Sequence, residues 1–222
     1  MQMKKQLAVL VASAALLAAC GDKEEKPNAQ EPEEKVDTEQ PAVEEGEHQV
    51  DAAFAIYEGE IVKINGTSLE DMSLELKQVN SDEPIHIKAQ PKTLLFENGG
   101  EPLKFEDFKE GDCIHAYMDS KKPVIMIYPP QYTADVITVQ KTDEPNGIDV
   151  AKYNDQLEND TATLKLNESE DTKITDEAGT PLTWEDVKGA NAIVFYGATT
   201  RSIPAQTTPD KIIVLKEVLT AE

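Results

Sequence analysis

The chain is short of residues that do covalent chemistry. Its thiols are Cys20 and Cys113, its imidazoles His48, His86 and His115, and its one guanidinium Arg201. A hydroxyl or thiol nucleophile needs a base within hydrogen-bond reach, and no G-x-S-x-G stretch supplies such a pair. The zinc patterns H-E-x-x-H and C-x-x-C are missing as well. One oxygen-rich run stands out, Asn154, Asp155, Glu158, Asn159 and Asp160. Asp155, Glu158 and Asp160 are its candidate ligands for a hard cation, but the D-x-D-x-D-G spacing of a calcium loop is absent, and a solvated hairpin loop accounts for the same composition. Carboxylates abound elsewhere. Glu106-Asp107 recurs as Glu185-Asp186, yet sequence neighbours do not face each other, and acids opening a short helix serve its dipole. Glycoside hydrolysis needs two carboxylates across a cleft at about 5–9 Å, an arrangement that spacing alone does not identify. No cofactor fingerprint is present, and none is expected to bind.

Cys20 has a more definite context. Lys4 and Lys5 precede an apolar run over 7–19 that is broken only by Ser13. That run is too short for a spanning helix of about 20 residues and fits the h-region of an export signal. It closes on Leu17-Ala18-Ala19-Cys20-Gly21. These residues resemble the lipobox of bacterial lipoproteins, with no departure at any position. The resemblance implies cleavage before Cys20, diacylation of its thiol, and a mature chain tethered by lipid to the extracytoplasmic face of the cell membrane. Two acyl chains hold stably where one does not, at about 0.8 kcal/mol per buried CH₂. With Cys20 acylated, Cys113 has no internal disulfide partner, so the core alone must hold the fold.

Residues 21–50 carry 11 acidic and 3 basic side chains, three prolines and no aromatics. Such a segment cannot bury enough apolar area to offset ordering entropy, so an acidic, disordered spacer is expected there. His48 belongs to it. The whole chain carries a net charge of −22, of which −16 falls on residues 51–222. A surface of that sign argues against nucleic acid, since phosphate backbones need Lys and Arg. It also repels anionic headgroups, leaving the lipid as the membrane contact. Lysine outnumbers arginine twenty to one, which leans toward an AT-rich Gram-positive host.

The folded part contains two similar stretches. At a shift of 79 positions, Thr93 meets Thr172, Gly100 meets Gly179, Pro102-Leu103 meet Pro181-Leu182, Phe105 meets Trp184 and Glu106-Asp107 meet Glu185-Asp186. After a four-residue gap in the 119–123 loop the shift becomes 75. There Pro129, Gln131, Thr133, Asp135, Ile137 and Val139 meet Pro204, Gln206, Thr208, Asp210, Ile212 and Val214. Only alternate residues repeat, and alternate residues of a strand share a face. Ile137, Val139, Ile212 and Val214 are therefore core, while Gln131, Thr133, Asp135, Gln206, Thr208 and Asp210 form a polar rim. These rim residues either satisfy backbone groups where the chain enters a sheet or face a ligand.

Strands are expected at 57–64, 72–76, 85–88, 94–97, 113–117, 124–128, 136–139, 161–166, 173–176, 192–196 and 211–218, separated by turns such as Asn65-Gly66 and Asn98-Gly99-Gly100. One short helix follows Pro102 and another Pro181. The fold class is thus all-β: two tandem small barrel- or sandwich-like repeats, 51–140 and 141–222, each with one short helix. The second copy shows no obvious counterpart of YEGEIVKI, so an arrangement in which the strand over 134–141 serves both copies stands beside one with separate strands. At the 79 shift Cys113 meets Ala192 and His115 meets Val194, which makes Cys113 a small buried residue with an inert thiol and His115 a strand residue with a satisfied ring.

The order P-L-x-F/W-E-D-x-K, a hydrophobic strand, P-x-Q-x-T and I-x-V resembles small secreted β-domains of Gram-positive lipoproteins and surface proteins. Copy two departs from it at Gly189-Ala190-Asn191. The resemblance implies a β-fold and extracytoplasmic life, and carries across no catalytic residue. Taken together, the expectation is a lipid-anchored, non-enzymatic β-module that binds a protein, a peptide or an envelope component. An exported carboxylate-dependent hydrolase or hydrolase accessory, and a cation-binding envelope protein, are the alternatives.

Overall fold

The computed structural model describes residues 52–79, 81, 83–124, 127–141 and 146–216. The stretches read as an export signal and an acidic spacer, with Cys20, lie outside them. In the first half, β1 (Phe54–Asn65), β2 (Ser73–Gln78), β3 (Pro84–Lys88), β4 (Leu94–Glu97), β5 (Cys113–Asp119), β6 (Gln131–Thr133) and β7 (Val136–Val139) form one sheet in the order β4-β7-β5-β1-β2-β3-β6. The second half holds β8 (Gly147–Lys152), β9 (Leu164–Leu166), β10 (Lys173–Asp176), α1 (Trp184–Val187), β11 (Asn191–Tyr196), β12 (Ala205–Thr207) and β13 (Pro209–Leu215). Four of these strands pair as β10-β13-β11-β8, and β12 pairs separately with β9. The structure is mostly β, as the alternation in the sequence requires.

Strands β6 and β7 are nearly consecutive in the chain yet lie at opposite ends of the first sheet. The sheet therefore wraps until its two ends are joined by Ala134-Asp135. The Ala134 N–H donates to the Lys88 carbonyl at 2.9 Å, the Asp135 N–H to the Tyr117 carbonyl at 2.8 Å, and the Leu94 N–H to the Asp135 carbonyl at 2.9 Å. No strand pairing closes the ring across this seam. Inside the wrap lie Ile61, Leu74, Leu76, Ile87, Ile137 and Val139. The second half encloses its own core, built on Tyr153, Leu166, Val194, Ile212 and Val214.

The two sheets pack back to back through a third core that includes Phe54, Phe96, Tyr117, Val136, Ile193 and Phe195. This is why all four residues of β7 are buried: Ile137 and Val139 face inward, and Val136 faces the other sheet. Lys211 bridges the sheets, its Nζ donating to the Gly100 carbonyl at 2.8 Å while lying 5.3 and 5.4 Å from the ring centres of Phe96 and Phe195. Gly100 sits at φ +87, and a Cβ there would stand 3.1 Å from the Phe195 ring, so a side chain would be both strained and crowded.

Backbone pairing recurs at positions related by the two shifts. His86 pairs with Gln131 and Lys165 with Gln206, both in parallel register. Leu95 pairs with Ile137 and Ile174 with Ile212, again parallel. The peptide bonds Tyr128-Pro129 and Ile203-Pro204 are both cis. One register differs. Ile114 pairs with Val139, whereas Ala192 pairs with Val214. The left-handed glycines Gly111 (φ +93) and Gly189 (φ +74) donate to the carbonyls of Ile61 and Tyr153, each at 2.8 Å. The stretch Lys109-Glu110-Gly111 is thus answered by the shorter Lys188-Gly189, and beyond it the shift falls to 78. Cys113 then matches Asn191, and His115 matches Ile193.

Several expectations need correction. Val124, Ile127 and Tyr128 are not in a strand, and residues 125–126 lie outside the described set. The first short helix is a single 3-10 turn, Phe105–Asp107. Its Asp107 accepts the Lys104 N–H at 2.8 Å, as Asp186 accepts that of Thr183, so these acids cap turns through a specific hydrogen bond. No strand is shared: β7 pairs only with β4 and β5, while β8 lies beside β11 as β1 lies beside β5. The strand in that place, β8, Gly-Ile-Asp-Val-Ala-Lys, does not resemble YEGEIVKI in residue type.

Truncating Ile137 or Ile212, both fully buried, to alanine should each cost about 2–5 kcal/mol. Urea unfolding measures it, and both variants should lower the midpoint without changing the slope.

Candidate functional site

Where the back-to-back sheets diverge they leave clefts. One, of about 300 Å³, lies between the N-terminal ends of β5 and β8 and is lined by Cys113, His115, Glu58, Thr138, Gly147 and Tyr196, among others. Cys113, His115 and Tyr117 alternate along β5, so the cleft continues the face that buries Tyr117 in the intersheet core. Residue type decides where core ends and cleft begins: Tyr117 is apolar enough to bury, and His115 is not. The His115 Nε2 lies 3.4 Å from the Glu58 carboxylate, and its ring meets Tyr117 edge-on at 6.4 Å. Cys113 is exposed. The expectation of a buried thiol fails because Cys113 stands at the cleft end of β5, where the core stops; Ala192 and Asn191, its matches by residue and by backbone register, are both buried.

A larger cleft, of about 590 Å³, opens where the edge strands β4 and β10 approach each other. Its apolar wall includes Leu94, Phe96, Leu103, Phe105 and Ile213, and its polar groups include Thr93, Lys104, Glu106 and Asp176. It sets an apolar wall beside several hydroxyl and charged groups, Lys104, Glu106, Asp176 and Lys211 among them.

The duplicated polar rim divides. Gln206, Thr208 and Asp210 line an open depression of about 480 Å³ with Asn167, Thr199 and Thr200. Its lining is nearly neutral and rich in hydroxyls. Gln131 and Thr133 are half-buried on β6, and Asp135 is buried at the seam. There the Asp135 carboxylate accepts the Asp119 N–H at 2.8 Å and pairs with Lys122. It satisfies the backbone where the chain enters β7. Asp210 is exposed and has no such position, so one sequence motif serves two different surroundings.

The oxygen-rich loop organises itself. The Asn154 Oδ1 accepts the N–H groups of Gln156 and Glu158 at 2.9 and 3.0 Å, and the Asn159 Oδ1 those of Thr163 and Leu164 at 2.9 and 3.0 Å. Leu157 (φ 58) and Ala162 (φ 53), each three residues on, take left-handed conformations. Asp160 accepts the Ala53 N–H at 2.6 Å. Among the described residues no three His, Cys, Asp or Glu side chains come together as a metal site; Asp155, Glu158 and Asp160 are not brought to one point.

A polar group that sequence reasoning missed lies at the mouth of the second core. Asp149 of β8 is half-buried. The Tyr153 hydroxyl and the Asn159 Nδ2 both donate to its Oδ2, the latter at 3.2 Å. Burial pushes the Asp149 carboxyl above the usual 3.8, the two hydrogen bonds oppose that shift, and the Asp160 charge adds to it. Burial and Asp149 together push the hydroxyls of Tyr153 and Tyr196 upward. The Asp149-x-x-x-Tyr153 spacing along one strand face is the sequence signal that marks it.

No protein-family model matches the chain, and no curated protein matches it at a significant level.

A raised carboxyl contributes stability below its unfolded value of 3.8 and loses it as pH rises through the folded value. Asp149→Asn should therefore flatten the decline in melting temperature above about pH 4 and leave the protein at least as stable as wild type at pH 7, while Asn159 and Tyr153 keep an acceptor. Thermal melts from pH 3 to 8 check it. Native Cys113, being exposed, should be alkylated by a maleimide at the rate of the unfolded chain within about tenfold, as followed by intact mass; protection by several orders of magnitude would restore a buried thiol.

Proposed function

We propose that the protein is a lipid-anchored module on the extracytoplasmic face of the cell membrane, built from two copies of one β-unit, that binds a protein, peptide or envelope component rather than turning over a substrate. Leu17-Ala18-Ala19-Cys20, closing an apolar run of h-region length, is the observation that carries it. No helix among the described residues is long and apolar enough to cross a membrane, which fits attachment through lipid. The repeat is supported by the recurrent pairings His86/Gln131 with Lys165/Gln206 and Leu95/Ile137 with Ile174/Ile212. The intersheet cleft at β4 and β10, with its apolar wall, is the surface best suited to a partner's side chains.

The test is chemical. The mature protein recovered from its native cell should begin at Cys20 and carry acyl chains there, read from the mass of its N-terminal peptide. Cys20→Ala should abolish labelling by radioactive palmitate and release the chain from the membrane fraction. An unmodified N-terminus upstream of Cys20 would end the proposal.

A further inference from the structure

The two halves differ in one wall. In the first, β2 runs along β1 from Asn65 back to Gly59, and the Val79 N–H then reaches the Glu58 carbonyl at 3.4 Å. In the second, Tyr153 stands where Ile61 does, and it pairs with Asn159 as Ile61 pairs with Leu76. There the likeness stops. The Asn159 Oδ1 accepts the N–H groups of Thr163 and Leu164 and turns the chain away. Lys77 and Gln78, which pair with Glu60 and Gly59, have no equivalents beside Lys152 and Ala151. β8 is thus the end strand of its sheet, and among the described residues no backbone hydrogen bond reaches its outer edge. Tyr153 exchanges backbone bonds with Gly189 and Ala190 on the β11 side. Successive residues of a strand point their peptide groups to alternate sides, so those of Ile148, Val150 and Lys152 face outward.

The missing wall leaves Asp149 at an open place. At the same position in the first half stands Tyr57, whose ring stacks on Tyr132 at 4.0 Å. Asp149 is half-buried, and Tyr153 and Asn159 both donate to its Oδ2. Its Oδ1 accepts no hydrogen bond from the described residues, and none of their cationic side chains pairs with it. Holding a carboxylate out of water without a countercharge is costly. We propose that the outer edge of β8 takes a strand from another polypeptide, antiparallel as β2 is to β1, with a lysine or arginine opposite Asp149 that donates to Oδ1. The proposal rests on the reading of the module as a protein or peptide binder, and needs neither the lipid anchor nor the β4–β10 cleft. Main-chain bonds supply the pairing, and alternate side chains the selectivity. Directly opposite residues of an antiparallel pair share a face, with Cβ atoms about 4.5–5.5 Å apart, which brings a basic side chain within reach. The residues on either side of it lie opposite Ile148 and Val150, whose side chains belong to the intersheet core, so apolar neighbours suit them. The partner is therefore an extended segment with one basic residue between apolar ones. A second copy is a poor occupant, since two β8 strands centred on Asp149 set carboxylate against carboxylate.

The full chain is tested with two soluble labelled peptides of alternating valine and threonine that differ only in a central lysine or glutamate. Fluorescence anisotropy gives the affinity, and amide hydrogen exchange gives the place. The lysine peptide should bind at least about tenfold more tightly than the glutamate one and slow exchange at Ile148 and Val150 by a similar factor, with β2 unchanged. Asp149→Asn should bring the two peptides within about threefold of each other. Ile148→Pro, which removes an outward N–H and no β11 bond, should weaken both, with a thermal melt to verify folding. Binding that leaves β8 exchange unchanged overturns the site but keeps the module a binder. No binding of either peptide at millimolar concentration overturns the site. Equal affinities with β8 protected overturn the role of Asp149. Protection of β8 without peptide overturns the assignment to another polypeptide: a dimer on sedimentation means that a second copy holds the edge, and a monomer that this chain does. None of these results bears on the acylation of Cys20, so the two proposals fail separately.

Discussion

The architecture depends on one short piece of backbone. Ala134 and Asp135 carry the chain from one end of the wrapped first sheet to the other, and their peptide groups bond to Lys88, Tyr117 and Leu94. Strand pairing does not cross this seam, so those bonds, with the Asp135 carboxylate on the Asp119 N–H, hold the sheet in its curl. Buried backbone groups must be satisfied, and here a carboxylate takes over for a missing strand. The curl sets the inner core, and the inner core in turn decides which face of β7 looks outward.

That outward face creates the second level of structure. Val136 and its neighbours leave an apolar back on the first sheet, and Ile193, Phe195 and Ile213 leave one on the second. Neither could be left to water without an extensive exposed patch, so the halves pack as one body with three cores. The clefts follow from the limits of this contact: where His115 and Glu58 replace apolar residues, and where the edge strands part, packing stops and space opens.

The sequence revealed alternation, and with it the class of fold, most strand positions and the inward Ile137, Val139, Ile212 and Val214. The turn glycines and the short helical turns after Pro102 and Pro181 were legible for the same reason, since local stereochemistry dictates them. What lay beyond reach depended on counting or on distant contacts. A single residue fewer before Gly189 shifts β11 against β5, and residue matching alone could not place that gap. Cys113 is exposed because it stands where the intersheet packing ends, which neither match reveals. Of the Asp149 group only the spacing to Tyr153 was legible; its donor Asn159 arrives from a loop whose path is set by two left-handed residues. The rim motif read as one device and is two, because Asp135 meets a seam and Asp210 meets solvent.

The bond from Ala53 to Asp160 spans 107 residues of sequence. It fastens the start of the first strand to a loop of the second half. Tension arriving at the front of β1 is therefore not borne by the first sheet alone. β1 runs for 12 residues and pairs antiparallel with both β5 and β2, so a pull along it loads many hydrogen bonds in shear rather than peeling them singly. A load applied at the front of β1 is thus shared by the two halves.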